Sequence, residues 1–436
     1  MSGPRPLRFP PPLGSVSSSS SLDLSSPEPP SSPFPSSEAA KRLPLEMVEM
    51  IIKEATKRTE DSNRIGHTEP SLCLLSKAFL PIARSNLYHT LSVEHSRDEL
   101  DSDDGSEFGS DSSFLNFSTD VKLRRTLKEN PSLGRLCRRL TVQIYLTPNN
   151  VDLEEEPVFE WVKEVMRACP EVQDFSIGSE DMYSIEDIDS MLAELGAEGW
   201  GSQLRSLEAD YWGPGLIKFL GRLPNLERLR LWDSSGFVDD WPTPSSVPFS
   251  LVYLHATERV PPPFLSTLIS HSNNTLRSVA LSHSLILAQP SLLPSLVALE
   301  DLTVNLMVED QASAPTLSDD KCLSIIDAIA ACTTLKALTL TAYKQSLPAS
   351  LLARLPSTLI SLDLTHSDTT ISSVTHYLTV DHHPHLRTFS CDRQGWSLND
   401  RAAIVQLCGE VGVELKGRAL TFEEDKELDP EKFEGL

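Results

Sequence analysis

The chain is long and strongly acidic. Its 436 residues include 38 Lys and Arg against 62 Asp and Glu, which gives a formal net charge of −24. A protein of this charge is repelled by phosphate backbones and by anionic lipid headgroups, so we expect neither nucleic acid nor a membrane as a partner. No run approaches the ~18 consecutive apolar residues of a membrane-spanning helix.

Three segments have the composition of flexible chain. Pro and Ser dominate residues 1–40, which bury too little apolar surface to offset the entropy of ordering, so we predict a disordered tail. Residues 94–120 are predicted to form an acidic flexible loop, because their carboxylates lack the spacing of a calcium-binding loop. Residues 419–436 are predicted to form an acidic C-terminal tail.

Cysteine usage is typical of a reducing compartment. The seven cysteines are odd in number and form no Cys-x-x-Cys pair, which favours neither a disulfide scaffold nor a zinc site. Pro10, Pro11 and Pro12 stand where a secretion signal needs an apolar helix. We therefore expect an intracellular protein, in the cytoplasm, the nucleus or both.

Residues 41–93 contain three short helical patterns that end in a strand-like segment, residues 90–93. The apolar residues at helical spacing are Met47, Val48, Ile51 and Ile52 in the first pattern, Leu72, Leu75 and Phe79 in the second, and Ile82, Ala83, Leu87 and Tyr88 in the third. Three helices in so short a segment bury little core, so they should expose apolar surface to a partner.

Three sequence blocks follow one another in this segment: Leu43-Pro44-x-Glu46-Met47-Val48-x-x-Ile51-Ile52, Leu72-x-x-Leu75-Ser76-Lys77-x-Phe79 and Leu87-Tyr88-His89-Thr90-Leu91. They resemble an F-box, particularly in its fungal form. The resemblance implies docking on the Skp-type adaptor of a cullin–RING ubiquitin ligase. The residues that it implies at the adaptor contact are Leu43, Pro44, Met47, Val48, Ile51, Ile52, Leu75, Phe79, Leu87 and Tyr88. The alternative is a helical cap on the downstream domain.

A basic linker, residues 122–140, follows the acidic loop and resembles the helix and Asn-Pro turn after the F-box of many fungal proteins. Its basic residues are Lys122, Arg124, Arg125, Lys128, Arg135, Arg138 and Arg139. Two interpretations are open. The arginines could bind a phosphorylated substrate, or they could form a solvated helix face that the acidic loop neutralises.

From about residue 200 onward, one pattern of three apolar residues recurs. The copies are Leu204/Leu207/Ala209, Leu226/Leu229/Leu231, Leu251/Leu254/Ala256, Leu276/Val279/Leu281, Leu299/Leu302/Val304, Leu335/Leu338/Leu340, Leu359/Leu362/Leu364 and Leu386/Phe389/Cys391. They start 22, 25, 25, 23, 36, 24 and 27 residues apart, mostly within the period of leucine-rich repeats. Weaker copies lie at Val172/Phe175/Ile177 and Leu140/Val142.

Each copy predicts a short strand with alternate side chains in the core. Amphipathic segments between the strands should return the chain over the convex side, at 161–168, 216–220, 264–269, 322–331 and 402–407. The consensus asparagine is missing, since Ser234, Ser284 and Tyr343 stand in its place. We therefore predict an α/β solenoid: a short three-helix F-box, then a linker helix and a degenerate leucine-rich-repeat array over residues 121–418.

Signatures of catalysis are absent. The chain has no phosphate-binding GxxxxGK[ST], no HExxH and no GxSxG. The histidines of 382–385 lack ligand partners apart from Asp381, and Cys391 and Cys408 lie in apolar patterns typical of core residues. We therefore expect no enzyme, no cofactor and no metal.

The resemblance and the repeats together predict a substrate-recognition adaptor of a Skp-cullin-F-box ubiquitin ligase, with the repeats binding a protein substrate. The alternative is a leucine-rich-repeat interaction scaffold outside ubiquitylation. Aromatic residues in or near the predicted strands are either anchors for the partner or ordinary packing: Tyr211, Trp212, Trp232, Tyr253 and Tyr343.

Overall fold

The computed structural model describes residues 80–96, 122–145, 158–179, 185–210, 213–232, 244, 246–257, 260–306, 318–341, 347, 349–365, 367, 369–380, 384–391 and 396–416. These residues form an open sheet of parallel strands that alternate with helices, an α/β solenoid-like fold. The predicted tails, the first two helices of the F-box-like segment and residues 97–120 of the acidic loop lie outside the described residues.

The described part of the chain contains twelve strands that lie side by side in chain order, each parallel to its neighbours. They are β1 Thr90–Ser96, β2 Arg139–Tyr145, β3 Asp174–Ser179, β4 Ser206–Ala209, β5 Arg228–Leu231, β6 Tyr253–Ala256, β7 Ser278–Ser282, β8 Asp301–Asn305, β9 Ala337–Thr341, β10 Ser361–Leu364, β11 Thr388–Cys391 and β12 Glu414–Lys416. The eight triplets coincide with β4 to β11 and the two weaker copies with β2 and β3, so the predicted repeat of strands is confirmed.

Helices connect the strands. They are α1 Leu80–His89, α2 at residues 122–129, α3 Pro131–Gly134, α4 Val158–Ala168, α5 Ile185–Ala197, α6 Pro214–Leu220, α7 Pro262–Ser272, α8 His283–Ala288, α9 Asp319–Ala330, α10 Ala349–Leu352, α11 Ile371–Val380 and α12 Leu398–Val411, with a 3-10 turn at Leu293–Ser295. The five predicted amphipathic segments coincide with α4, α6, α7, α9 and α12. None of the helices in the described ranges is long and apolar enough to cross a membrane.

The core follows from the alternation of side chains along each strand. In β4, β6, β10 and β11 the second and fourth residues are buried, while the first and third are half-exposed. One buried row crosses the whole sheet, with one residue from each strand: Leu91, Leu140, Phe175, Leu207, Leu229, Leu254, Val279, Leu302, Leu338, Leu362, Phe389 and Leu415. The helices cover this row and its neighbours, so successive repeats share a continuous core.

Main-chain hydrogen bonds link the repeats at the residue that precedes each strand. The carbonyl of Arg205 accepts from the N–H groups of both Glu227 and Arg228, at 2.9 Å each. The same double acceptance recurs along the sheet, at the carbonyls of Arg138, Gln173, Glu227, Val252, Arg277, Glu300, Lys336 and Ile360. We call this edge of the sheet the rim.

Threonine hydroxyls also link successive repeats at the rim. Thr275, Thr334 and Thr358 each directly precede the first leucine of a triplet. Each hydroxyl donates to the carbonyl of the first leucine in the preceding triplet, at 2.8, 2.8 and 2.7 Å. The repeats therefore keep a side-chain link between turns although the consensus residue is absent.

The F-box-like segment joins the sheet directly. Helix α1 ends at His89 and β1 begins at Thr90, three residues before the predicted boundary of that segment, and β1 extends to Ser96. β1 pairs with β2 over seven residue pairs, and the N–H of Arg138 donates to the carbonyl of His89 at 2.9 Å. The orientation of α1 is therefore fixed by the first strand of the solenoid.

Candidate protein-binding site on the open face

The face of the sheet that points away from the core carries mostly small side chains. We call it the open face. From β7 to β11 its residues include Ser278, Ala280, Thr303, Ala337, Thr339, Thr341, Ser361, Thr388 and Ser390, with Asp301, Asn305 and Asp363 among them. Such a surface offers few anchors of its own.

Large side chains are concentrated on β4 to β6 and directly after β5. Glu208, Arg228, Arg230, Trp232, Tyr253 and His255 form what we call the Arg–aromatic cluster. The alternation of β5 causes this grouping, because Arg-Leu-Arg-Leu-Trp buries both leucines and turns the other three side chains outward. Strand register then places Ser206 and Tyr253 on either side of Arg228.

Glu208 organises one half of the cluster. Its Oε1 accepts a hydrogen bond from the indole Nε1 of Trp232 at 2.7 Å, and its Oε2 lies 3.6 Å from Nη1 of Arg230. The carboxylate therefore orients the indole and compensates the charge of Arg230. Trp232 is still 38% exposed, an unusual exposure for so large an apolar side chain.

The second half is built on Tyr253. The guanidinium carbons of Arg228 and Arg230 lie 5.7 and 5.3 Å from the centroid of its ring, within the range of cation–π attraction. Arg230 also has Glu208 as a partner, whereas no carboxylate of the described residues forms an ion pair with Arg228. Arg228 is exposed.

His255 completes the cluster as a neutral ring. Its centroid lies 4.1 Å from that of Trp232, at an interplanar angle of 61°. Burial lowers the pKa of His255 below its ordinary value of 6.5, and the positive charge of Arg230 lowers it further, while Glu208 acts in the opposite direction. The imidazole is therefore uncharged at neutral pH.

Other sequence-based candidates have structural roles in the described residues. Four arginines of the linker pair with carboxylates: Arg124 with Glu164 at 2.6 Å, Arg125 with Glu129 at 2.8 Å, Arg138 with Glu171 at 2.7 Å and Arg139 with Asp174 at 3.9 Å. These partners belong to α2, to α4, to the approach to β3 and to β3 itself, so much of the basic linker is neutralised without the acidic loop.

The two cysteine candidates lie in the core, as the sequence predicted. Cys391 and Cys408 are both 1% exposed, and burial raises the pKa of the Cys408 thiol to about 11. His385 is exposed, while His382 and His383 lie outside the described residues. Within the described ranges, no three His, Cys, Asp or Glu residues are grouped for a metal ion.

Only two of the residues implied at the adaptor contact lie in the described ranges. Leu87 and Tyr88 are half-buried near the end of α1, and Tyr88 packs against the core of the solenoid. Leu43, Pro44, Met47, Val48, Ile51, Ile52, Leu75 and Phe79 lie outside the described residues. The role of these eight residues stays a prediction.

The cluster was partly foreseeable. Trp232 and Tyr253 were candidates and lie on the open face, whereas Tyr211, Trp212 and Tyr343 lie outside the described residues. Arg228 and Arg230 were missed, although they flank a core leucine of a triplet and alternation alone turns them outward. Glu208 and His255 could be linked to them only through strand register.

A rim groove of about 620 Å³ lies apart from the cluster, along the residues that precede β6 to β11. Its exposed apolar side chains are Val252, Val297 and Ile360, and its charged ones include Arg277, Glu300 and Lys336. Lys336 pairs with Glu300 at 3.1 Å. The groove contains no arrangement of nucleophile and base.

The described chain thus belongs, by its fold, to the α/β solenoids with an open parallel sheet. No protein-family model matches the sequence, and no curated protein matches it. A chain in the crystal structure of the Rad7 and Elc1 complex in yeast is similar at 11% sequence identity, with a TM-score of 0.34. The similarity covers 88% of this chain and 98% of that one.

Proposed function

We propose that the protein is a substrate-recognition adaptor of a Skp-cullin-F-box ubiquitin ligase. The F-box-like segment docks on the Skp-type adaptor, and the open face of the solenoid binds the substrate protein. The observation that carries the proposal is the Arg–aromatic cluster, because large Arg, Trp and Tyr side chains stand together on the open face, whereas the following strands β7 to β11 carry mostly small residues there.

Protein binding suits the chemistry of this surface. Trp, Tyr and Arg dominate the energetic centres of protein interfaces, since they combine large contact area with directed hydrogen bonds. The indole of Trp232 is held by Glu208, so little side-chain entropy is lost when a partner covers it. The open face can therefore bind a partner protein without a conformational change of the cluster.

The link to ubiquitylation rests on the F-box resemblance at residues 43–91. The direct passage from α1 into β1 supports it, since a substrate on the solenoid would be held at a fixed orientation to α1, the described helix of this segment. In this proposal the protein catalyses no reaction. It raises the effective concentration of a substrate lysine near the conjugating enzyme.

The second candidate is an interaction scaffold outside ubiquitylation. The contact of Tyr88 with the solenoid core favours it, because a cap would use its apolar residues in this way. The two candidates share the open face as a protein-binding surface and differ only in the role of the N-terminal segment.

A binding assay with the purified Skp-type adaptor separates the two candidates. The test variant carries Met47→Asp and Ile51→Asp. The matched control carries Leu323→Asp and Val405→Asp, at exposed apolar residues of α9 and α12. Replacing two apolar side chains at the adaptor interface should weaken binding by about 100-fold or more in the test variant, whereas the control should bind like wild type.

Two results would reject the ligase role. One is an absence of adaptor binding by wild-type protein that circular dichroism shows to be folded. The other is equal binding by the test variant and the control, which would place the contact elsewhere. After either result, the interaction scaffold outside ubiquitylation would be the remaining candidate function.

A further inference from the structure

We infer that the Arg–aromatic cluster binds an anionic side chain of the partner polypeptide, with Arg228 as the direct contact. The inference rests on the proposed function in one respect, since it takes a protein as the molecule that covers the open face. It adds the chemical class of the group that the surface selects.

The two arginines of β5 differ in how their charges are balanced. Arg230 lies 3.6 Å from Glu208, and that carboxylate also accepts the hydrogen bond of Trp232. Arg228 has Tyr253 beside it but forms no ion pair with a carboxylate of the described ranges. Its guanidinium therefore keeps its charge and its hydrogen-bond donors for a ligand, and it can bind a carboxylate or a phosphate through two parallel bonds.

The neighbours of Arg228 suit an anion. Ser206 stands opposite it on β4 with its side chain on the open face, where a hydroxyl can donate a further hydrogen bond. Tyr253 stands opposite it on β6 and provides an aromatic wall. His255 is neutral at neutral pH, so it neither adds positive charge nor repels the guanidinium.

Charged residues further along the same row of the sheet limit the positions at which an anion can bind favourably. Asp174 lies two strands before Arg228 and pairs with Arg139 at 3.9 Å. Asp301 lies three strands after it and accepts a hydrogen bond from the hydroxyl of Ser278 at 3.1 Å. An anion placed near Asp301 is repelled, and the charge of Arg139 is balanced by Asp174, so Arg228 is the position in this row that favours an anion.

The test uses the full-length protein and three immobilised pools of random twelve-residue peptides. The central residue is fixed as glutamate in the first pool, phosphoserine in the second and glutamine in the third. Binding is measured for wild type, Arg228→Gln and the matched control Arg387→Gln. Arg387 is an exposed rim residue before β11, so the control loses the same charge outside the cluster.

Wild type and Arg387→Gln should prefer the glutamate or the phosphoserine pool over the glutamine pool by about 10-fold or more. Arg228→Gln should lose this preference, and Arg228→Lys should keep part of it, since a lysine retains the charge without the bidentate geometry. A preference for the phosphoserine pool alone would identify a phosphorylated partner. A preference for the glutamate pool alone would identify an acidic one.

Equal binding of the three pools by wild type would overturn the inference, as would an equal loss of preference in Arg228→Gln and Arg387→Gln. An absence of binding to every pool by folded wild type would overturn it as well. Because adaptor docking uses residues 43–88, Arg228→Gln should leave adaptor binding unchanged. Failure of the anion-binding inference can therefore be distinguished from failure of the ligase proposal.

Discussion

At the scale of single residues, Glu208 determines how the cluster is arranged. It contacts Trp232 and Arg230 from the neighbouring strand, and its charge acts on the pKa of His255 as well. The carboxylate therefore couples an aromatic anchor, a cation and a titratable ring within one small surface. Arg228 alone among the charged members has no part in this arrangement.

The pH titration of His255 tests whether the charges of Glu208 and Arg230 act on its imidazole. Arg230→Gln should raise the pKa of His255, because a positive charge beside the ring is removed. Glu208→Gln should lower the pKa further, because the charge that favours protonation is lost. The measurement is the pH titration of the imidazole signals by NMR, with Arg387→Gln as a control that leaves the midpoint unchanged.

The lowered pKa of His255 also determines how the stability of the fold changes with pH. Because the folded pKa of His255 lies below its ordinary value of 6.5, the unfolded chain binds a proton first as the pH falls. The contribution of the neutral ring to stability is therefore present above about pH 6.5 and is lost as the pH falls toward the folded pKa. A His255 midpoint above 6.5 in wild type would contradict the burial that the structure shows.

At the scale of elements, the strands other than β12 were predictable, and several helices were not. Each strand from β1 to β11 contributes at least two buried residues two positions apart, so even four residues leave a clear signal, as in Leu229 and Leu231. Helices α5, α8 and α11 were missed. In α8 only the apolar residues Leu285 and Ile286 are buried, which leaves little helical pattern, whereas α5 buries Ile188, Met191, Leu192 and Leu195 at regular helical spacing and could have been found.

The hydrogen bonds at the rim also could not be predicted from the sequence. A threonine before a leucine is common in many contexts, and only strand register shows that Thr275, Thr334 and Thr358 each reach the preceding repeat. The missing asparagine predicted a degenerate array. It did not indicate which residues would link successive repeats.

We expect Thr358→Val to reduce the free energy of unfolding by about 1 kcal/mol, because the variant keeps the shape of the side chain but removes the hydrogen bond to the Leu335 carbonyl. Urea unfolding measures the change. Ser357→Ala is the matched control, since Ser357 is exposed and precedes Thr358 directly. A loss of the same size in both variants would show that the hydroxyl link contributes nothing specific.

At the scale of the whole molecule, stability should depend on position along the sheet. Leu302 is fully buried between β7 and β9, whereas Leu415 is 8% exposed on the edge strand β12. Leu302→Ala should cost about 2–5 kcal/mol through lost burial and the cavity that remains. Leu415→Ala should cost less, because an edge residue has a neighbouring strand on one side only.

Denaturant unfolding and hydrogen exchange measure this difference. The Leu415 variant should lose amide protection mainly in β11 and β12, whereas the Leu302 variant should lose it on both sides of β8. Equal costs and equal exchange patterns would show that the sheet unfolds as a single unit, without dependence on the distance from its edge.

The rim has a consequence for how such a protein changes over evolutionary time. Its carbonyls each accept two N–H groups of the next repeat, and the residues that provide them are as different as Arg205, Glu227, Val252 and Ile360. The register of the solenoid is thus held by atoms that every residue other than proline possesses. Rim side chains can therefore drift in charge and size while the stacking of the strands is inherited intact, which leaves natural selection free to remodel this surface for new partners.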